Sequence, residues 1–325
     1  MKRRDTATAL LMLGATPLAA FAQAPKKVWR LGYLVTTGTG PSAQSEAFKE
    51  GLRELGYVED KDYVMEMRLA QGQLDRLPAL AAELVRLRVD VIMVGSSAAT
   101  RAAKAATTTI PIVMLSLGEP VRSGLVESLA RPGGNVTGTS NSMVDIAPKH
   151  LDLLRDLAPK PRRVAFLMSS GAATHQDILE IVRAHAPRAG VQITPLAVSS
   201  EADIEAAFAS MVKQKLQAVI VPTSAQMIEH RQLIADLALK SRLPCLGYNA
   251  MYAEAGFLLS YGANLLEIFK RGAVYVDKIL KGTKPADLPI EMPTLFELVI
   301  NKKTAQAIGL TIPRALLVRA DRVIE

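Results

Sequence analysis

The sequence VDVIMVGSSAATRAAKAATTTIPIVML occupies residues 89–115 and holds two short apolar runs on either side of an alanine-rich segment. The runs Val89 to Val94 and Ile110 to Leu115 are rich in β-branched residues, which is typical of buried strands. The segment between them begins at Gly95-Ser96-Ser97 and predicts a helix that directly follows the first strand. A strand, a helix and a second strand in this order predict parallel pairing through a crossover helix.

The same alternation of strand and helix patterns continues along the rest of the chain. Two helices are indicated by apolar stripes at helical spacing: Leu77, Leu80, Leu84 and Leu87 in one, and Ile204, Phe208, Met211 and Val212 in the other. Ser200, followed three residues later by Asp203, predicts the capped start of the second helix. Further strands are predicted at Val28 to Val35, Tyr63 to Leu69, Val136 to Asn141, Val164 to Met168, Gln192 to Val198, Ala218 to Val221, Pro244 to Tyr248, Phe257 to Tyr261 and Phe296 to Ile300.

These elements fall into two series, which predicts an α/β protein with two lobes, each built on a parallel sheet covered by helices on both faces. The first series ends near Asn141, and the second starts after Pro159-Lys160-Pro161, which ends the preceding helix near Leu157. The length of 325 residues fits two domains of about 100–200 residues each. Because aromatic residues make up only 5% of the chain, both cores are expected to be aliphatic.

The first 22 residues have the pattern of a signal peptide that is cleaved after Ala22. A basic start at Lys2-Arg3-Arg4 precedes an apolar stretch from Ala7 to about Leu18, and Ala20-Phe21-Ala22 provides the small residues of a cleavage site. The apolar stretch is shorter than the ~20 residues that span a bilayer. The sequence therefore predicts a periplasmic protein without membrane insertion, and it leaves open whether the Sec or the Tat pathway exports it.

The sole cysteine, Cys245, lies far from the cleavage site, which excludes a lipid anchor there and an internal disulfide. The formal net charge of +8 is spread thinly, and its densest cluster, Lys160, Arg162 and Arg163, has no aromatic neighbour in sequence. Nucleic-acid binding needs a basic stripe on one element. We therefore expect this cluster to be a solvated surface and the protein not to bind nucleic acid.

The sequence contains no recognisable catalytic or cofactor motif. None of the four histidines, His150, His175, His185 and His230, has metal-ligand spacing, so no metal is predicted, and all four are expected to be exposed. The segment Gly38 to Ala43 fits a dinucleotide fingerprint, but two threonines separate it from the strand and no acid follows the next strand for a ribose. We predict a protein that is not an enzyme and has no cofactor.

Several stretches resemble the ABC transporter substrate-binding protein family that includes tryptophan-type binding proteins, and the resemblance covers essentially all of the chain after the signal. The matching stretches are FKEGLRELGY (residues 48–57), DRLPALAAEL (75–84), IPIV (110–113), ARPGGNVTG (130–138), YVDKILKG (275–282) and FELVIN (296–301). Together they are specific, although most of them are scaffold residues. Relatives commonly carry an Asn-Pro-rich loop after the first strand of the second lobe, whereas this chain has SSGAAT there (residues 169–174). The identity of the ligand should therefore not be inferred from any relative.

The resemblance implies a type I periplasmic-binding fold, in which two doubly wound lobes are joined by a multi-strand hinge and hold a ligand between them. The implied first lobe comprises residues 28–141 and about 262–285, and the second comprises 142–261 and about 286–325. The implied partner is the permease of an ABC importer, and the protein is expected to be a monomer. The alternatives are an exported α/β enzyme and a ligand-sensing protein on the same fold.

Ligands of doubly wound sheets bind outside the carboxyl ends of the strands. The residues at these positions are Thr36, Thr37, Ser96, Ser97, Gly118 and Glu119 in the first lobe and Ser169, Ser170, Thr223 and Ser224 in the second, with Asn141, Tyr248, Asn249 and Tyr261 near the expected hinge. Their hydroxyl and amide groups suit a small polar or carboxylate-bearing ligand, such as an amino acid or an aromatic acid. We expect Ser96 and Ser97, at a helix N-terminus, to hold its anionic group, and Tyr248 or Tyr261 to stack on a flat part.

Overall fold

The computed structural model describes residues 27–157, 160–170 and 172–325, so the predicted signal peptide lies outside the described residues. The first lobe begins with eight elements: β1 (Trp29–Val35), α1 (Ala43–Glu54), β2 (Tyr63–Leu69), α2 (Leu77–Arg86), β3 (Val91–Val94), α3 (Ser97–Ala106), β4 (Ile112–Leu117) and β5 (Val136–Ser140). The second lobe follows with α4 (Ala147–Asp156), β6 (Arg163–Ser169), α5 (Ala173–Ala189), β7 (Gln192–Val198), α6 (Glu201–Lys213), β8 (Ala218–Val221), α7 (Ala225–Glu229), α8 (Arg231–Lys240), β9 (Cys245–Gly247), α9 (Ala250–Ala255) and β10 (Leu259–Ala263).

The chain ends with α10 (Leu265–Leu280), β11 (Phe296–Asn301), α11 (Lys302–Ala307), α12 (Arg314–Val318) and β12 (Arg322–Ile324). Short 3-10 turns lie at Leu74–Arg76 and Pro285–Asp287. The predicted strands are all present, with ends that shift by up to two residues, whereas β12 was not predicted.

The first sheet has the strand order β2-β1-β3-β4-β5, and all of its pairs are parallel. Its central strands are buried on both faces, as their continuous apolar sequence requires. In β3, Val91 and Met93 pack in one apolar cluster, and Ile92 and Val94 pack in the cluster on the opposite face. The predicted doubly wound architecture of the first lobe is confirmed.

The second sheet has the order β7-β6-β8-β9-β10-β11-β12, and its first five strands are parallel in the same way. Strand β11, however, runs antiparallel to β10. The chain leaves the second sheet at the carboxyl end of β10 and forms α10, which packs in the first lobe. It then re-enters the second sheet at the same carboxyl edge. A strand entering from that edge must run in the opposite direction.

Helix α10 packs against α1 and β4 in the first lobe, and two glycines permit this close contact. A Cβ atom on Gly51 of α1 would lie 2.6 Å from the backbone oxygen of Lys270, and one on Gly272 of α10 would overlap Leu115 Cδ2. Either contact is closer than packed atoms tolerate. The absence of a side chain at both positions therefore allows α10 to lie directly on α1 and β4.

Three segments connect the lobes: one after β5, one between β10 and α10, and one before β11. Hydrogen bonds join them, because Ser140 N donates to Glu291 O (2.8 Å), Glu291 N donates to Gly138 O (3.0 Å) and Asn264 N donates to Leu295 O (3.1 Å). The crossing segments are thus hydrogen-bonded to one another and to the carboxyl end of β5.

Two side-chain predictions were wrong. Val212 was assigned to the apolar stripe of α6, but it is 55% exposed, because Ala207 occupies the buried position instead. His150 and His175 were expected to be exposed, but neither has accessible surface. His150 packs in the second lobe with its ring stacked on Tyr248 at 3.6 Å. The predicted cap at Ser200 is present, with Asp203 completing a capping box.

Candidate functional site

The first candidate group lies where the strand order of the first sheet reverses, between the carboxyl ends of β1 and β3. In this sheet β2 lies on one side of β1 and β3 lies on the other. The helices that connect these strands therefore diverge and leave a crevice. Thr36 and Ser96 meet there, with their hydroxyl oxygens 2.6 Å apart. Ser96 Oγ also accepts from Ala99 N (3.1 Å) and caps α3.

Two neighbouring hydroxyls remain available for other contacts. Thr37 and Ser97 are half-buried, and neither side chain makes a hydrogen bond within the described part of the chain. Ser97 is the first residue of α3, a helix of 10 residues whose N-terminal amides carry partial positive charge. This arrangement can hold an anionic group through a hydroxyl and the helix end together.

The second lobe has an equivalent crevice between the carboxyl ends of β6 and β8. Ser169 Oγ donates to Gln226 Oε1 (2.5 Å) across it. Ser169 N donates to Nδ1 of His175 (3.0 Å), so the imidazole proton is on Nε2, which donates to Thr223 O (3.1 Å). Burial lowers the pKa of His175 to about 4. A neutral imidazole therefore holds the two loops together.

The other predicted hydroxyls of the second lobe are used within the protein. Thr223 Oγ1 accepts from Asn249 Nδ2 (2.9 Å), and Ser170 Oγ donates to Val198 O (3.0 Å). Ser224 Oγ accepts from Met227 N (3.2 Å) and caps α7. These contacts set the conformation of the loops that surround the crevice.

Glu119 lies in the loop after β4, beside Gly118, and faces the second lobe. Burial raises the pKa of its carboxyl group, and the nearby carboxylates of Asp145 and Asp177 raise it further, while Arg122 lowers it. Within the described residues the carboxyl group has no hydrogen-bond partner. Glu119 also adopts a left-handed backbone conformation with φ of 44°, which is uncommon for a residue with a side chain.

Three of the residues predicted near the hinge are held by the protein itself. Asn141 Nδ2 donates to Ser116 O (2.9 Å), which ties the first crossing segment to the loop after β4. Tyr248 is buried against His150. The ring of Tyr261 lies 6.1 Å from those of Phe296 and His150, on the second sheet. These ring contacts do not bring either tyrosine together with the hydroxyl groups of the two crevices.

The two lobes touch on both sides of the space between the crevices. On one side, Gln44 Nε2 of α1 lies 3.0 Å from Met251 Sδ of α9. On the other side, Arg122 forms an ion pair with Asp177 of α5, with a nitrogen–oxygen distance of 2.6 Å. The candidate site therefore lies between the lobes, at the carboxyl edges of the two sheets.

His175 and Gln226 were not among the predicted site residues. Gln226 follows Ser224 by two residues and could have been found by extending the strand-end rule into the next turn. His175 gave no such signal, because its role depends on burial between two loops that are distant in sequence.

The chain belongs to the ABC transporter substrate-binding protein family, whose pattern matches residues 36–324. It is 27% identical to a structure described as the ABC domain of a Streptococcus pneumoniae protein in complex with L-Trp, with a TM-score of 0.85 over 92% of this chain and 100% of that one. A conserved domain protein of Vibrio cholerae is also 27% identical, with a TM-score of 0.85 over 91% and 100% of the two chains. The tyrosine-binding protein of Clostridioides difficile is 25% identical over 267 residues, 82% of this chain and 76% of the relative.

These similarities show that the protein is a solute-binding protein of an ABC transporter and not an enzyme. No helix in the part of the chain that the structure describes is long and apolar enough to cross a membrane.

The two buried histidines predict how stability depends on pH. Burial lowers the pKa of His150 and His175 from 6.5 to about 4, so below pH 6.5 the unfolded chain takes up protons that the folded protein does not. The free energy of unfolding should therefore fall as the pH drops from about 6.5 to 4, by up to ~1.4 kcal/mol per pH unit for each histidine. Urea denaturation at several pH values measures this slope.

The variant His175→Gln should show a shallower slope than the wild type. His230→Gln controls for the removal of an imidazole as such, because His230 is only half-buried and its ring lies beside Glu201. An unchanged slope in His175→Gln would contradict the prediction.

Proposed function

We propose that this member of the substrate-binding protein family is the periplasmic receptor of an ABC importer and binds a small carboxylate-bearing ligand in the cleft between its lobes. The observation that carries the proposal is the pair of crevices, one in each lobe, that meet at this cleft and contain the polar groups Ser97, Thr37 and Gln226. A receptor needs groups of this kind on both lobes, because a ligand must contact both to favour the closed state.

We infer that the ligand is an amino acid, with an aromatic one first among the candidates. The relatives from S. pneumoniae and C. difficile are described with L-Trp and as tyrosine-binding, respectively. Hydroxyls beside the α3 N-terminus suit a carboxylate, and the unpartnered carboxyl group of Glu119 suits an ammonium group. Asp145 and Asp177 lie close enough to add to the negative potential there.

The residues proposed to surround the ligand are those predicted at the strand ends, together with Asn141 and Asn249. Tyr248 and Tyr261 instead contact His150 and Phe296 on the second sheet. Hydrogen bonds in each lobe join loops that follow neighbouring strands, and they set the conformation of the loops around the proposed site. We propose lobe boundaries at 28–141 with about 262–285, and 142–261 with about 286–325. The packing of α10 on α1 and the pairing of β11 with β10 support this division.

We further propose that the receptor is a monomer and that a membrane permease recognises the receptor in its closed state. Bending at a few crossing segments leaves both cores intact, and hinge closure of this kind is common in two-lobed binding proteins. Within the described residues the lobes are connected by three crossing segments, and so small a number of connections supports such a motion.

Export should remove the first 22 residues and leave Gln23 at the mature N-terminus. The basic start, the apolar stretch and Ala20-Phe21-Ala22 provide the signal. Intact-mass analysis of the protein recovered from the periplasm tests this expectation. A chain that retains its first residues in the cytosol would contradict both the cleavage site and the importer role.

Binding should close the protein and leave the ligand chemically unchanged. Calorimetry with the 20 standard amino acids, including L-tryptophan and L-tyrosine, identifies the ligand, and small-angle scattering should then show a smaller radius of gyration. Ligand at ~100 times its dissociation constant should add ~2.7 kcal/mol to the free energy of unfolding. Tight binding without compaction, or conversion of the bound compound, would contradict the proposal.

Ser97→Ala should weaken binding of the amino acid without loss of fold stability. Loss of a hydrogen bond to a charged group costs ~1.5–3 kcal/mol, or about tenfold to a hundredfold in affinity, while alanine is favourable within a helix. Ser241→Ala is the matched control, because Ser241 is also half-buried but precedes β9, at the edge of the second sheet opposite to its carboxyl edge. If Ser97→Ala and the control bind equally, the anionic group lies elsewhere.

A further inference from the structure

Gln226 carries a buried hydrogen-bond donor that has no partner within the described residues. Its Nε2 atom is buried and unbonded, whereas its Oε1 atom accepts from Ser169. The hydroxyls of Tyr248 and Ser260 share this property, but both residues are buried on the second sheet. Gln226 differs from them because it lies in the crevice between β6 and β8.

The orientation of the Gln226 amide is set by two consecutive hydrogen bonds. His175 Nδ1 accepts from Ser169 N (3.0 Å), which fixes the position of the serine. Ser169 Oγ then donates to Gln226 Oε1 (2.5 Å), which turns the oxygen end of the amide towards β6. The nitrogen end consequently points away from Ser169, and its hydrogens are free to donate.

The strand orders of the two sheets place Gln226 opposite Ser97. One contact between the lobes joins α1, after β1, to α9, after β9, through Gln44 and Met251. The other joins the loop after β4 to α5, after β6, because a Cβ atom on Gly118 would lie 3.3 Å from Thr174 Cγ2.

Strand β3 lies between β1 and β4 in the first sheet, and β8 lies between β9 and β6 in the second. The residues that follow β3 and β8 therefore lie between the same two contacts. Ser97 follows β3 and Gln226 follows β8, so the two residues lie on opposite sides of the same space between the lobes.

We propose that Gln226 Nε2 donates a hydrogen bond to the ligand carboxylate that Ser97 holds from the first lobe. This inference rests on the proposed function, because it names the group that contacts the same ligand from the second lobe. A carboxylate only accepts hydrogen bonds and has room for about four, so a hydroxyl, helix amides and an amide N–H can share it. A ligand that contacts both lobes favours the closed state, so this bond would link recognition of the carboxylate to closure.

Isothermal titration of Gln226→Glu with L-tryptophan and L-tyrosine tests the contact. The substitution keeps an acceptor for Ser169 but replaces the donor with a negatively charged oxygen. The affinity should fall by about tenfold to a hundredfold, as expected for a lost hydrogen bond to a charged group. Gln306→Glu, the same change on the exposed surface of the second lobe, should bind as the wild type does.

Tryptamine, which is tryptophan without its carboxylate, shows which part of the ligand Gln226 contacts. Gln226→Glu should weaken L-tryptophan binding but not tryptamine binding. An equal loss for both compounds would place the contact elsewhere on the ligand and overturn the proposal, as would wild-type affinity of Gln226→Glu for L-tryptophan.

The ligand-free protein provides a second test that does not depend on the identity of the ligand. Ser169→Ala combined with Gln226→Leu removes both partners of an internal bond together with the unpaired donor, so the melting temperature should stay equal or rise. A clear drop would show that the amide has a structural partner and would overturn the proposal. If the wild type binds no amino acid, the proposed ligand class fails, and this measurement still decides whether Gln226 is free to donate.

Discussion

Helix α10 lies against the backbone of α1 at Gly51, and this contact determines how the two lobes are connected. Because α10 follows β10 of the second sheet but packs in the first lobe, the chain must cross between the lobes twice more after its first crossing. The return crossing enters the second sheet from the cleft edge, and β11 is therefore antiparallel to β10. A larger residue at Gly51 or Gly272 would meet Lys270 or Leu115. The hinge thus depends on two positions at which a side chain is absent.

The second determinant of the site is the strand order. In both lobes the chain starts at an inner strand, adds one neighbour on one side and then continues on the other, so each sheet has one crevice at its carboxyl edge. The contacts between the lobes align these crevices. Neither crevice alone could enclose a ligand, whereas together they can exclude water from it and contact it on two sides.

Most polar side chains around the cleft bond to the protein itself. Thr36, Ser96, Thr223 and Asn249 hold loops in place, and the buried His175 links two of those loops through a single tautomer. Such internal bonds position the few groups that remain free, among them Ser97, Glu119 and Gln226. A site built in this way has little freedom to reorganise, which favours selective binding of a ligand that matches the free groups.

The sequence by itself determined the order of the elements, because buried parallel strands need continuous apolar runs and the helices between them need apolar stripes. It also determined that polar residues follow the strands, and from there Ser97 and Thr37 could be predicted. Only the tertiary structure decided that His150 and His175 are buried, that Val212 is exposed and that Gln226 keeps an unpaired donor. The pairing of His175 and Gln226 depends in part on residues that are distant in sequence, namely Thr223 for His175, 48 positions away, and Ser169 for Gln226, 57 positions away. Local sequence patterns do not contain that information.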